Sequence, residues 1–147
     1  MLMFIKSLSI LLSLPLLLGC SSESLSMQRY KSADIYYSYW FTTTIMTHTP
    51  ERLRRQAHHK ITITDEADIS TLHGLIVEND LAESNQIIGL MDVRLIVEFN
   101  TINSEKSTYI ANVRNICSLS SETCRGMNNE YRDDLQNLIL AFDVAYK

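Results

Sequence analysis

The chain has 147 residues, of which 46% are hydrophobic and 20% are charged, and its formal net charge is −4. That length corresponds to one domain of common size, with enough chain to bury a hydrophobic core. The acidic balance argues against a general nucleic-acid-binding protein, because such a protein would be basic. We therefore expect no nucleic acid among its partners.

The N-terminal segment combines one positive charge, a short apolar stretch and a Gly-Cys pair. Lys6 is its only charged residue, and the apolar stretch from Leu8 to Leu18 is shorter than the roughly 20 residues that cross a bilayer as a helix. These are parts of a secretory signal peptide, although no A-x-A-like cleavage site follows. The segment ends instead in Leu17-Leu18-Gly19-Cys20, and this ending resembles the lipobox of bacterial lipoproteins.

The resemblance implies that the Cys20 thiol receives a diacylglyceryl group and that Cys20 becomes the first residue of the mature chain. Residues 1–19 would be a signal peptide, residues 20–31 a lipidated tether, and residues 32–147 a single globular domain. Two acyl chains, such as palmitate, are enough for a stable membrane anchor. Because Ser21 rather than an aspartate follows the cysteine, the resemblance points to the outer membrane of the cell envelope, with the domain facing the periplasm. The alternative is an uncleaved, buried N-terminal helix with a stray cysteine.

The first half of the domain predicts a strand, a short helix and a second strand. Residues from Ala33 to Met46 are dense in aromatic and β-branched side chains, which favour a strand. Large apolar groups fall on both of its faces, so this strand should be central or covered on both sides. Thr49 is a good N-cap before Pro50, which predicts a helix from Pro50 to about His58. The alternation from Lys60 to Thr64 predicts the second strand.

The second half predicts a helix, a hairpin and a final helix. Asp65 or Asp68 can cap a helix whose apolar residues recur at helical spacing. An alternating strand from Leu90 to Thr101 and a return strand from Ser107 to Cys117 are joined by a short loop, which predicts an antiparallel hairpin. Asn128 or Asn129 can cap the last helix. Its apolar stripe comprises Tyr131, Leu135, Leu138, Ile139, Phe142 and Tyr146.

Strands and helices mix without strict alternation in this order, so the predicted class is α+β. We expect a mostly antiparallel sheet of about four strands. The helices should pack on one face of that sheet, and the C-terminal helix should be amphipathic.

Three cysteines are present, and lipidation of Cys20 would leave Cys117 and Cys124. The envelope outside the inner membrane is oxidising, so these two are predicted to form a disulfide across the sequence CSLSSETC. A loop of this length stabilises the fold by roughly 2 to 3 kcal/mol in the chain-entropy estimate. The competing interpretation is a metal site or redox pair, which neither a flanking histidine nor C-x-x-C spacing supports.

Two groups of residues are candidate contacts for a protein partner in the envelope. Tyr36 and Trp40 would share one strand face with polar neighbours, and Tyr and Trp are enriched at interface hot spots. Arg52, Arg54 and Arg55 form a basic cluster that could contact anionic headgroups or an acidic partner. The alternatives are a covered core strand for the first group and a solvated helix face for the second.

The sequence contains no G-x-S-x-G, H-E-x-x-H, P-loop or G-x-G-x-x-G motif. We therefore expect no enzyme activity, no cofactor and no metal. The leading hypothesis is a non-enzymatic binding module attached to a membrane through the lipid at Cys20. One alternative is an inhibitor or immunity-type lipoprotein that acts against a toxin or hydrolase, with the Cys117–Cys124 loop as its protruding element. Another is a small unrecognised hydrolase.

Overall fold

The computed structural model describes residues 29–43 and 46–147, which form an antiparallel sheet flanked by helices. The strands are β1 (Tyr30–Tyr37), β2 (His59–Ile63), β3 (Glu83–Ser84), β4 (Leu95–Thr101), β5 (Lys106–Ala111), β6 (Asn115–Ser118) and β7 (Thr123–Gly126). The helices are α1 (Pro50–Gln56), α2 (Glu66–Val77) and α3 (Asn129–Ala145). The strand order in the sheet is β2-β1-β4-β5-β6-β7-β3.

The strand β1 lies inside the sheet between β2 and β4, which confirms the prediction of a central first strand. Ile35 pairs with Ile61 of β2 and with Val97 of β4. All three side chains are buried, so this register places a row of aliphatic groups on one face of the sheet. Burial of such a row is the main force that holds the three strands in register.

The first strand is shorter than predicted, because it ends at Tyr37 rather than at Met46. The backbone N–H of Ser38 donates to the carbonyl of Arg94 at 2.8 Å, and a turn follows in which Thr42 donates to the carbonyl of Tyr39. Aromatic and β-branched composition favours a strand but does not mark its end. The aromatic residues after Tyr37 therefore lie in a loop.

The two faces of the sheet carry different helices. On one face, here called the inner face, α2 and α3 pack over the sheet, and Leu72 and Ile139 share a core with Phe99. On the other, here called the outer face, α1 places the buried Leu53 in a second apolar cluster with Ile96 of β4. The prediction that the helices pack on one face is therefore wrong. In sequence, α1 looked like a basic surface helix, because Leu53 is its one buried residue.

Within the described residues the sheet has seven strands, so the expectation of about four strands is wrong, although the chain is α+β overall. The predicted return strand from Ser107 to Cys117 turns at residues 112–114, where Asn112 accepts two backbone N–H groups with its side chain, and it forms β5 and β6. The disulfide loop contributes β7, and the two residues of β3 pair with β7 at the sheet edge. These strands are too short to show a period-2 pattern.

Each helix begins at a cap that the sequence predicted. The caps are Thr49 for α1, Asp65 for α2 and Asn128 for α3, and each side chain accepts a hydrogen bond from a backbone N–H in the first turn. The C-terminal helix is amphipathic as predicted, and it buries Leu135, Ile139 and Phe142.

Candidate functional site

The cysteines fall into two groups. Cys20, the predicted lipidation site, lies outside the described residues. The sulfur atoms of Cys117 and Cys124 are 2.05 Å apart, which confirms the predicted disulfide. The two residues are paired on β6 and β7, so the bridge lies within the sheet. Only residues 119–122 extend beyond these strands, so the inhibitor alternative gains no long protruding element.

Arg54 is paired with a buried carboxylate on the outer face. Its Nη2 and Nε donate to Oε1 of Glu98 at 2.8 and 3.2 Å, and Nζ of Lys106 donates to Oε2 at 2.9 Å. Glu98 is buried, and a buried charge requires such partners. Tyr36 lies half-buried beside this group, and its pKa is raised by burial and then by the Glu98 charge. Arg54 is therefore part of a structural ion-pair network, and Tyr36 packs against the outer-face cluster beside it.

The two other arginines of α1 are less constrained. Arg52 is half-buried, and its Nε donates to Oε1 of Gln56 at 2.8 Å, one turn further along the helix. Arg55 is exposed, and no hydrogen bond or ion pair of its side chain is found within the described residues. Of the three predicted arginine contacts, Arg55 is therefore the exposed one.

Trp40 belongs to the core rather than to an exposed surface. Only 4% of it is accessible, and its ring packs edge-on against Tyr37 with 5.3 Å between the ring centroids. The sequence placed Trp40 and Tyr36 on the same face of one strand, and this prediction is wrong. Because the strand ends at Tyr37, the turn returns Trp40 to the inner-face core, while Tyr36 contacts the outer-face cluster.

The segment 38–49, here called the aromatic loop, joins β1 to α1 and is described except for residues 44 and 45. Phe41 is 74% exposed, Met46 is 62% exposed and Tyr39 is 44% exposed. Isolated exposed apolar residues are common, whereas contiguous exposed apolar patches mark interaction surfaces, and these three side chains belong to one loop. The sequence showed the aromatic composition, but it placed these residues in a covered strand and so did not predict their exposure.

A chain of polar groups orients Tyr39. Its hydroxyl lies 3.1 Å from Nε2 of His59, and Nδ1 of the same imidazole lies 3.1 Å from Oδ2 of Asp143. A hydrogen bond from Lys147, followed by that from His59, lowers the pKa of Asp143, so its carboxylate is charged at neutral pH. Helix α3 and strand β2 thus fix an exposed aromatic residue of the loop, as preorganised contact residues require.

The Phe41 side of the loop is also supported by α3, because Cζ of Arg132 lies 5.0 Å from the centre of the Phe41 ring. Nearby, four buried polar atoms have no hydrogen-bond partner within the described part of the chain. Each such group costs roughly 1–3 kcal/mol. A concentration of these groups at one end of the domain is typical of a functional site. The four atoms are Ser38 Oγ, Trp40 Nε1, His48 Nδ1 and Arg132 Nε.

His48 lies at the α1 end of the loop, and its backbone joins the loop to the sheet. Its N–H donates to Oδ1 of Asp92 at 2.8 Å, and its carbonyl accepts from the N–H of Val93 at 2.9 Å. Burial, followed by the nearby Arg94 charge, lowers the pKa of His48. The imidazole is therefore neutral at pH 7. The aromatic loop is hydrogen-bonded to the domain at both ends, through Ser38 at one end and His48 at the other.

Within residues 29–43 and 46–147, no group of three or more His, Cys, Asp or Glu side chains could hold a metal ion. No helix among these described residues is both long enough and apolar enough to cross a bilayer. Comparison with protein-family models, curated proteins and solved structures found no match to this chain.

Proposed function

We propose that this chain is a lipid-anchored protein of the cell envelope whose domain binds a protein partner through the aromatic loop, without catalysing a reaction. The lipobox-like ending at Cys20 supports the anchor, and its Ser21 supports the outer membrane with the domain in the periplasm. The exposure of Phe41 supports the position of the contact.

The exposed Phe41 ring is the observation that carries this proposal. Aromatic side chains dominate the binding energy of many protein interfaces, because they bury a large apolar area. The contact of Phe41 with Arg132 and the hydrogen bond of Tyr39 with His59 restrict both rings before any partner arrives. Restriction in the free state reduces the entropy lost on binding.

The position of the loop also supports a partner away from the membrane. The tether would enter the sheet at Tyr30, whereas the aromatic loop begins after Tyr37, at the other end of β1. Seven residue steps along a strand span about 23 Å. The proposed anchor and the proposed contact are therefore separated by the length of β1, and the lipid does not compete with the partner for the loop.

A photo-crosslinking amino acid at position 41 tests this proposal in cells that express the full chain. We expect a discrete crosslinked protein that is absent when the same amino acid replaces Ile102. Ile102 is the matched control, because it is 63% exposed and lies in the turn between β4 and β5, at the tether end of the sheet.

A second variant shows whether the crosslinked protein depends on the aromatic contact. Phe41→Ala should weaken copurification of that protein by roughly tenfold or more, as expected for a hot-spot aromatic residue. The proposal is wrong if positions 41 and 102 give the same products, or if Phe41→Ala leaves copurification unchanged.

A further inference from the structure

A cavity of about 200 Å³ opens on the inner face, between the C-terminal end of α2 and the strands β5, β6 and β7. It is larger than one water molecule requires, and smaller than the sites of about 300–1,000 Å³ that hold drug-sized ligands. It shares no residue with the aromatic loop. The residues of its lining that matter here are Tyr109, Ser118, Thr123, Arg125, Ile76 and Ile116.

Hydroxyl groups form a row along one wall of the cavity. Tyr109 of β5 pairs with Ser118 of β6, and Ser118 pairs with Thr123 of β7. Directly paired residues project to the same face of a sheet, so three hydroxyl-bearing side chains stand next to one another. The hydroxyls of Ser118 and Thr123 already lie 3.1 and 2.7 Å from those of Ser120 and Ser121. The disulfide joins β6 to β7 beside this row and fixes the spacing of two of the three.

Tyr109 supplies an unused donor. Its ring packs edge-on against Phe99 with 6.0 Å between the ring centroids. Its hydroxyl makes no hydrogen bond within the described residues, and it is not sealed from solvent. Burial raises the pKa of Tyr109, so the hydroxyl keeps its proton at neutral pH. It can therefore donate a hydrogen bond to a ligand.

Arg125 supplies the positive charge. Its Nη1 donates to the carbonyls of Val77 and Asn79 at 3.3 and 2.9 Å, and these bonds fix the guanidinium at the end of α2. Its Nε and Nη2 make no hydrogen bond to the described residues and are not buried. No aspartate or glutamate lines the cavity, and Glu83, which is paired with Arg125 across β3 and β7, forms no ion pair with it.

We propose that this cavity binds a small aliphatic carboxylate, with its oxygens on Arg125 and the Tyr109 hydroxyl and its alkyl chain against Ile76 and Ile116. A guanidinium pairs with a carboxylate through two parallel N–H donors. The aliphatic floor favours a short hydrocarbon tail over a bare inorganic anion. This inference is independent of the proposed function, because it uses a different part of the sheet.

Titration of the full chain with butyrate tests the inference. Backbone amide shifts of residues 118, 123 and 125 are followed by NMR at constant ionic strength. We expect saturable shifts with a dissociation constant in the millimolar range, as a site of this size allows. Butyramide, an uncharged ligand of nearly the same shape, should bind about tenfold more weakly, because it lacks the charge-assisted hydrogen bonds.

Two variants with matched chemistry decide the role of Tyr109. Tyr109→Phe keeps the ring contact with Phe99 and removes only the hydroxyl, so butyrate should bind roughly tenfold more weakly than it binds the unaltered chain. Tyr39→Phe removes a hydroxyl from the aromatic loop and should leave butyrate binding unchanged.

Shifts that stay linear to about 50 mM butyrate, equal binding of butyramide, or unchanged binding by Tyr109→Phe would overturn the site. Tighter binding of inorganic phosphate would overturn the choice of a carboxylate.

Discussion

Glu98 illustrates how one side chain sets the roles of its neighbours. An ionised carboxylate that is removed from water costs several kcal/mol unless it is paired and hydrogen-bonded. Arg54 and Lys106 supply three donors to the two oxygens of Glu98. Because Arg54 lies on α1 and Glu98 on β4, the pair also connects the helix to the outer face of the sheet.

We expect Arg54→Met to lower the free energy of unfolding by about 2 kcal/mol, because Glu98 would stay buried with one cation instead of two. Arg55→Met is the matched control on the same helix, and it should change stability by no more than about 0.5 kcal/mol. Urea unfolding followed by circular dichroism measures both. Equal effects of the two substitutions would show that the ion pair contributes nothing beyond an ordinary surface arginine.

The arginines of α1 also show what the sequence could and could not reveal at this scale. Their clustering was visible, but their different roles depend on Glu98, which lies 44 positions from Arg54 in the chain. Similarly, the sequence did not distinguish which aromatic residues near β1 are buried and which are exposed. The place where the strand ends decides that Trp40 is buried and that Phe41 is exposed.

Local signals predicted the helices better than the strands. Thr49, Asp65 and Asn128 cap their own helices. The residues that determine where each helix begins therefore lie within one turn of its cap. The strands β6 and β7 have four residues each, and they depend on pairing between neighbours. The sequence predicted the disulfide between Cys117 and Cys124, but it did not reveal that the bridge joins two strands of the sheet.

We expect the double variant Cys117→Ala/Cys124→Ala to lose about 2 to 3 kcal/mol of unfolding free energy, because the loop closed by the bridge gains entropy in the unfolded chain. The strand β3 should also lose protection from amide exchange, since β7 is its one neighbour among the strands of the described residues. Urea unfolding and hydrogen exchange measure the two effects. Cys20→Ala, which leaves the bridge intact, should show neither. Unchanged stability of the double variant would contradict a stabilising role for the bridge.

The strand β1 connects the end of the domain nearest the proposed anchor to the end that carries the proposed contact. The N–H of Ile102, between β4 and β5, donates to the carbonyl of Arg29 at 3.3 Å, so the described chain begins beside that turn. The nine residue steps from Cys20 to Arg29 span at most about 33 Å when extended. A lipid at Cys20 would therefore confine the domain near the membrane and raise its effective concentration toward membrane-bound partners.

We expect the full chain to incorporate a palmitate analogue during growth and to sediment with membranes, whereas Cys20→Ser should lose the label. The two acyl chains of a lipidated cysteine are what would hold the protein at the bilayer. Cys117→Ala/Cys124→Ala is the matched control, and it should keep the label because Cys20 is intact. If the unaltered chain takes up no label, Cys20 is an ordinary cysteine and the envelope location must be abandoned. The crosslinking of position 41 would then test the aromatic loop independently, since its rings are positioned by α3 and β2 and not by the anchor.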